Sequence, residues 1–239
     1  MKIIGIIPAR FASTRFPGKP LVDIGGKTMI QRVYEQAKKA SSLSEVLVAT
    51  DDQRIFDAVE DFGGKVVMTS SSHTNGTERC NEVAANFEAD VVINIQGDEP
   101  FIQPEQINQL ADLFLDESVQ IGTLVKQIYE KADLHNPTII KAVLNLKQEA
   151  LYFSRSAIPF LRTPDTEHIF FKHIGIYGFR KDVLDNLVKL PLSSLEKAES
   201  LEQLRWLENG YRIQTALTEY NSLSVDVPED LEKLKGLYS

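Results

Sequence analysis

Short β-branched runs alternate with amphipathic helical patterns through the first half of the chain. This alternation constrains the fold most, because it is the sign of βαβ units built around a parallel sheet. Strands are expected at residues 2–8, 45–50, 65–69 and 90–95. Helices are expected at 28–40, where Ile30, Val33, Tyr34 and Ala37 recur at three-to-four spacing, and at 52–62, stopped by Gly63-Gly64. Two more are expected at 77–87 and 104–115.

Beyond Ser118 the texture changes. Residues 119–128, 138–146 and 168–179 look like strands without a helix of comparable length between them. The fold expected is therefore α/β, a mostly parallel mixed sheet flanked by helices, with a smaller antiparallel section at roughly 119–180. That section is the expected lid or dimer surface of a chain read as a single domain over 1–239. A helix at 195–209 ended by Gly210, a strand at 211–217 and a last helix opened by Pro228 complete the expectation.

Composition narrows the function. With 43% apolar and 25% charged residues over 239 positions, the chain is an ordinary globular protein with a sizeable core. The lone Cys80 precludes an internal disulfide and fits a reducing compartment, so the cytoplasm is the expected location. The apolar run at 2–7 is too short for a signal peptide, and no stretch reaches the roughly 18 to 20 apolar residues of a membrane span. A net charge of −8 argues against general nucleic-acid binding.

Against that acidic background the segment 1–22 holds Lys2, Arg10, Arg15 and Lys19 and no acid before Asp23. Its loop, PARFASTRFPGKPL at 8–21, follows a buried strand, and ligands of open α/β sheets gather at strand carboxyl ends. Two Arg forks and a Lys suit a compact anion such as a triphosphate. The Gly-x-x-x-x-Gly-Lys-Ser/Thr pattern of a P-loop is absent.

A second motif, NIQGDEP at 94–100, also follows a strand. Asp98 there reads as a Mg²⁺ ligand beside a glycine that admits a ligand, or as a cap of the turn toward Pro104. In SVDVPEDL at 224–231, Asp226 reads equally as a second metal ligand or as an N-cap. HTNGTER at 73–79 offers Thr77 or Asn75 as a cap and Arg79 for a polar group such as a base edge, while His73 reads as a loop histidine. Taken singly, Arg155, His173, Glu202 and Gln203 read as structural residues, with Leu195, Ala198, Leu201 and Leu204 as a core stripe beside the last two.

Together, PARFASTRFPGKPL, HTNGTER, NIQGDEP, LYFSR, KHIGIYGFR, LEQLR and SVDVPEDL resemble, in order and spacing, the 3-deoxy-manno-octulosonate cytidylyltransferase (CMP-Kdo synthetase) family. The resemblance spans essentially the whole chain and departs at Asn75, Ser224 and Val227. It implies a nucleotide-diphospho-sugar transferase α/β sandwich, a Mg²⁺-dependent homodimer, and transfer of CMP from CTP to the acid sugar Kdo for lipopolysaccharide assembly. By the same resemblance Arg10, Arg15 and Lys19 would hold CTP, with Lys19 catalytic, and Arg79 would help select cytosine. Asp98 and Asp226 would hold Mg²⁺. Gln96, Arg155, His173, Tyr177, Glu202 and Gln203 would line the sugar, Arg155 facing its carboxylate. The alternatives are transfer to another acid sugar, 8-amino-Kdo or a sialic acid, and a non-catalytic nucleotide sensor.

Overall fold

The computed structural model describes residues 1–12, 16–163, 166–221, 223–234 and 236. The first half alternates as the sequence predicts: β1 (Ile3–Ala9), α1 (Met29–Ala37), β2 (Glu45–Thr50), α2 (Gln53–Asp61), β3 (Val66–Met68), α3 (Gly76–Ala85), β4 (Val91–Asn94) and α4 (Pro104–Asp112). The helix starts follow from local chemistry. Thr28 and Asp52 accept backbone N–H groups at the starts of α1 and α2, and Pro104 opens α4, where its missing N–H costs nothing.

The second half runs β5 (Ile121–Gln127), α5 (Lys131–His135), β6 (Lys141–Leu144), β7 (Ala150–Ser154), β8 (Phe171–Arg180), α6 (Lys181–Leu187), α7 (Ser194–Glu199), α8 (Gln203–Glu208), β9 (Ile213–Leu217) and α9 (Asp230–Leu234). Among the described residues the strands form one sheet in the order β3-β2-β1-β4-β8-β5-β9, with β6 bridging β7 and β8 off that path. The pairs β2–β3, β1–β2, β1–β4 and β5–β9 are parallel. β8 is antiparallel to both β4 and β5. Of the section expected to be antiparallel, β5 and β8 thus lie inside the main sheet and β6–β7 beside it.

β1 is apolar at nearly every position because both of its faces are covered. Ile3 and Ile7 pack with α1 and α4 on one face, while Ile4 and Ile6 pack with α3 residues Cys80, Val83 and Ala84 on the other. A smaller cluster of Ile24, Met29, Val225 and Leu234 draws the C-terminal segment back over the first loop.

Three details depart from the sequence reading. The helix expected over 195–209 is two helices, α7 and α8, broken at Ser200, whose φ of 53° is left-handed. Leu195, Ala198, Leu201 and Leu204 therefore do not share one helical face. The last helix begins at Asp230, and Pro228 sits in the turn before it. β7, unassigned by the pattern, pairs with β6 across a register shift. None of the described helices is long and apolar enough to cross a membrane.

Candidate active site

The loop after β1 is closed by its own backbone. Gly18 N–H donates to Phe11 O at 3.0 Å, and a 3₁₀ turn at Lys19–Leu21 follows. Gly18 is required there twice over: its φ is 72°, and a Cβ would lie 3.1 Å from the Phe11 ring. Arg54 of α2 lies over the Phe11 ring, its guanidinium carbon 3.3 Å from the ring centroid. Arg10 follows directly on β1, and Arg15 lies outside the described residues.

The turn delivers Lys19 to two carboxylates. Its Nζ donates to Asp98 Oδ2 at 2.7 Å and to Val225 O at 2.8 Å, and lies 3.8 Å from Asp226 Oδ1. Asp98 arrives on the segment after β4, which crosses the end of β1 so closely that a Cβ at Gly97 would meet Pro8 O at 2.7 Å. Asp226 is brought to the same place by its neighbour: Val225 is fully buried and donates its N–H to Asp98 O at 2.9 Å. Asp226 stands four residues ahead of the start of α9 at Asp230, outside the N-cap position, and Asp230 Oδ2 accepts the N–H groups of Asp226 and Val227 at 3.0 and 3.1 Å. Two acids thus share one cation. Hard oxygen donors gathered this way fit Mg²⁺, which takes one or two carboxylates and completes its shell with phosphate oxygens and water. No group of three or more His, Cys, Asp or Glu side chains suited to a metal is found among the described residues.

These groups border a cleft of about 250 Å³, also lined by Arg10, Asn75, Gly76, Arg79 and Gln96. The far wall is the start of α3. Asn75 is its cap, accepting Glu78 N–H at 2.8 Å, and Gly76 packs against Pro8. Arg79 is almost fully buried. Its guanidinium donates to Asp51 at 2.9 Å and to the Thr69 hydroxyl, which fixes its plane at the cleft edge. His73 is held by the Glu82 carboxylate.

Beside the cleft, on strands β4 and β8 and the start of α8, a second polar cluster forms. Tyr177 stands opposite Asn94 in the β4–β8 register, and its ring lies 5.1 Å from that of His173 and 5.0 Å edge-on to Trp206. Glu202 accepts the Thr77 hydroxyl at 2.9 Å, linking α8 to α3. Gln203 is buried at the first position of α8. Burial pushes the Glu202 carboxyl up to about 7 against the lowering effect of Thr77 and Arg205, and the same burial holds the His173 imidazole down at about 3. Burial, reinforced by Glu202, keeps the Tyr177 hydroxyl protonated.

Of the residues singled out in the sequence, Arg10, Lys19, Arg79, Gln96, Asp98 and Asp226 meet at the cleft. His173, Tyr177, Glu202 and Gln203 belong to the neighbouring cluster. Arg155 is turned elsewhere: its guanidinium donates to Glu199 O at 2.7 Å and Pro137 O at 3.2 Å. The fully buried Lys141 holds the backbone there, its ammonium donating to Asn136 O, Ile139 O and Arg155 O. Sequence reasoning passed over Asn94 and Thr77 as site residues. Asn94 Oδ1 and Tyr177 OH are buried without hydrogen-bond partners among the described residues, which suits groups waiting for a polar ligand. The signal for Asn94 was an amide closing an otherwise apolar strand.

A cytidylyltransferase family model matches residues 4–213. A 3-deoxy-manno-octulosonate cytidylyltransferase of Parabacteroides distasonis is 56% identical over 244 residues, covering 98% of this chain and 96% of its own. The chain belongs to the 3-deoxy-manno-octulosonate cytidylyltransferase family. A second relative of that name, from Bacteroides thetaiotaomicron, is 54% identical over 97% of this chain and 96% of its own. A solved CMP:2-keto-3-deoxy-manno-octonic acid synthetase complexed with CTP is 46% identical, with a TM-score of 0.95 over 99% of this chain and 98% of that one. The cytidylyltransferase fold is therefore carried from end to end, β6–β7 and the C-terminal return included.

Proposed function

We infer that this protein transfers CMP from CTP to the anomeric hydroxyl of Kdo, giving CMP-Kdo and pyrophosphate. The observation that carries the reading is the meeting of Lys19, Asp98 and Asp226 at the ends of β1 and β4, in a chain 46% identical to a synthetase solved with CTP. The acceptor oxygen forms a bond to the α-phosphorus as the bond from that phosphorus to the bridging oxygen of pyrophosphate breaks. No covalent enzyme intermediate is needed, so the protein's task is alignment and charge neutralisation. Arg10, Arg15 and Lys19 grip the triphosphate, Lys19 meeting the charge that develops as pyrophosphate leaves, and Arg79 helps select the base. Asp98 and Asp226 would hold Mg²⁺, which would neutralise phosphate charge and acidify the acceptor hydroxyl.

Gln96, His173, Tyr177, Glu202 and Gln203 take the sugar hydroxyls, with Asn94 and Thr77 added to that set. Arg155 serves the sugar carboxylate once it leaves the carbonyls of residues 137 and 199. The product feeds lipopolysaccharide assembly in the cytoplasm. The working form is a homodimer built on the antiparallel section at 119–180, a role supported by the exposed Leu146, Leu151, Phe160 and Ile169 there.

The test is pyrophosphate release from CTP and Mg²⁺ with a panel of Kdo, 8-amino-Kdo and a sialic acid. Kdo-dependent release is expected. Release with no acceptor on the panel, or only with a sialic acid, overturns the assignment.

A further inference from the structure

His173, half-buried on β8, is a titratable group whose hydrogen-bond polarity the surrounding backbone settles. β5 and β8 pair regularly up to Thr123 opposite Tyr177, then jump to Leu124 opposite Ile174, so Gly175 and Ile176 fall outside the ladder. This bulge gathers three groups around the fully buried Thr123 hydroxyl: Ile176 O at 2.7 Å, Ile174 O at 3.3 Å and His173 Nε2 at 2.9 Å.

A threonine hydroxyl has one proton and two lone pairs. A carbonyl oxygen only accepts, and two oxygens 2.7 Å apart with no proton between them repel, so the hydroxyl proton lies toward Ile176 O. Thr123 Oγ1 is then an acceptor toward the ring, and Nε2 must carry hydrogen. Desolvation keeps the imidazole neutral, holding it at about 3, so this is its only N–H. Nδ1 is left with a bare lone pair and has no hydrogen-bond partner among the described residues. The ring itself is half-buried, its centroid 5.1 Å from those of both Phe153 and Tyr177.

We propose that Thr123 is a positioning residue that locks His173 in the Nε2–H tautomer, so that Nδ1 accepts a hydrogen bond from a hydroxyl of the bound acceptor sugar. The identity of that ligand rests on the function proposed above; the tautomer does not. His173 is thus an acceptor for a hydroxyl and is never a cation for the sugar's carboxylate. In the opposite tautomer Nε2 would turn a lone pair on Thr123 Oγ1 and Nδ1 would donate to the sugar hydroxyl instead of accepting from it.

The chain has four histidines, so ¹⁵N-histidine spectra of the intact protein at pH 7 are simple, and the His173→Gln variant identifies the His173 signals. Wild type is expected to show a protonated Nε2 and a bare Nδ1. Thr123→Val, close in shape, removes the hydroxyl and is expected to give mixed tautomers and an acceptor KM raised about tenfold, with the CTP KM unchanged. Thr123→Ser is expected to restore both. A protonated Nδ1 or an imidazolium in wild type overturns the tautomer. Unchanged acceptor KM in Thr123→Val overturns the sugar contact, and a serine variant as defective as valine overturns the role of the hydroxyl. If the protein does not turn over Kdo at all, the function fails while the spectra still decide the tautomer.

Discussion

At the scale of single residues, Lys19 has the most to do. Its ammonium is the shared counter-ion of Asp98 and Asp226 as well as the group proposed to meet the leaving pyrophosphate. Lys19→Ala is expected to lower kcat/KM on the order of 100-fold, with the far-UV circular dichroism unchanged; activity within a factor of two of wild type would remove Lys19 from the chemistry. Glu202 makes a different prediction. Its carboxyl sits at about 7 against an ordinary 4.5, chiefly through burial. The folded protein therefore holds this proton more tightly than the unfolded chain does. The stabilisation is complete below about pH 4.5 and is lost as pH rises through about 7. Glu202→Gln stays neutral at every pH, so its melting temperature should decline less than that of wild type across this window. Parallel declines would mean that the carboxylate is ionised throughout.

At the scale of elements, the break between α7 and α8 decides where Glu202 and Gln203 point. The sequence shows an unbroken three-residue repeat from Leu195 to Leu204 with no Gly or Pro, so a single helix is the natural expectation. What wins is tertiary. Arg205 reaches back across the break to Glu196 at 2.7 Å in a buried ion pair, and Leu201 N–H donates to Glu196 O, both of which need Ser200 in a left-handed turn. A serine there is strained where glycine is not. Ser200→Gly is accordingly expected to raise stability by about 0.5 to 1 kcal/mol in urea denaturation, with activity retained; a loss of stability would mean that the serine side chain itself holds the turn. The parallel half was legible for the converse reason. Runs such as Ile3–Ile7 and Val91–Ile93 are buried on both faces, and no distant partner is needed to recognise them as strands.

At the scale of the whole molecule, the candidate site was legible one residue at a time and not as an assembly. Asp98 announces itself at a strand end. The position of Asp226 depends on Val225 packing against Ile24 and Met29, a contact between residues about two hundred positions apart that no local pattern records. Because Lys19 already offsets part of the charge of the two acids that this contact brings together, the fold is expected to stand without a metal ion. A chelator is expected to abolish turnover and leave the melting temperature unmoved, whereas CTP with Mg²⁺ at a hundred times its Kd should stabilise by about 2.7 kcal/mol. A large drop in melting temperature with chelator alone would make the metal structural. The order of the sheet carries a further consequence. β4 has β1 on one side and β8 on the other, so a single strand is the common wall of two rooms, the cleft proposed for the phosphates and the polar cluster proposed for the acceptor. Either room can be refurnished without moving that wall: exchanging the residues that β8 and α8 contribute should give an enzyme that accepts a different sugar while its grip on the nucleotide is unaltered.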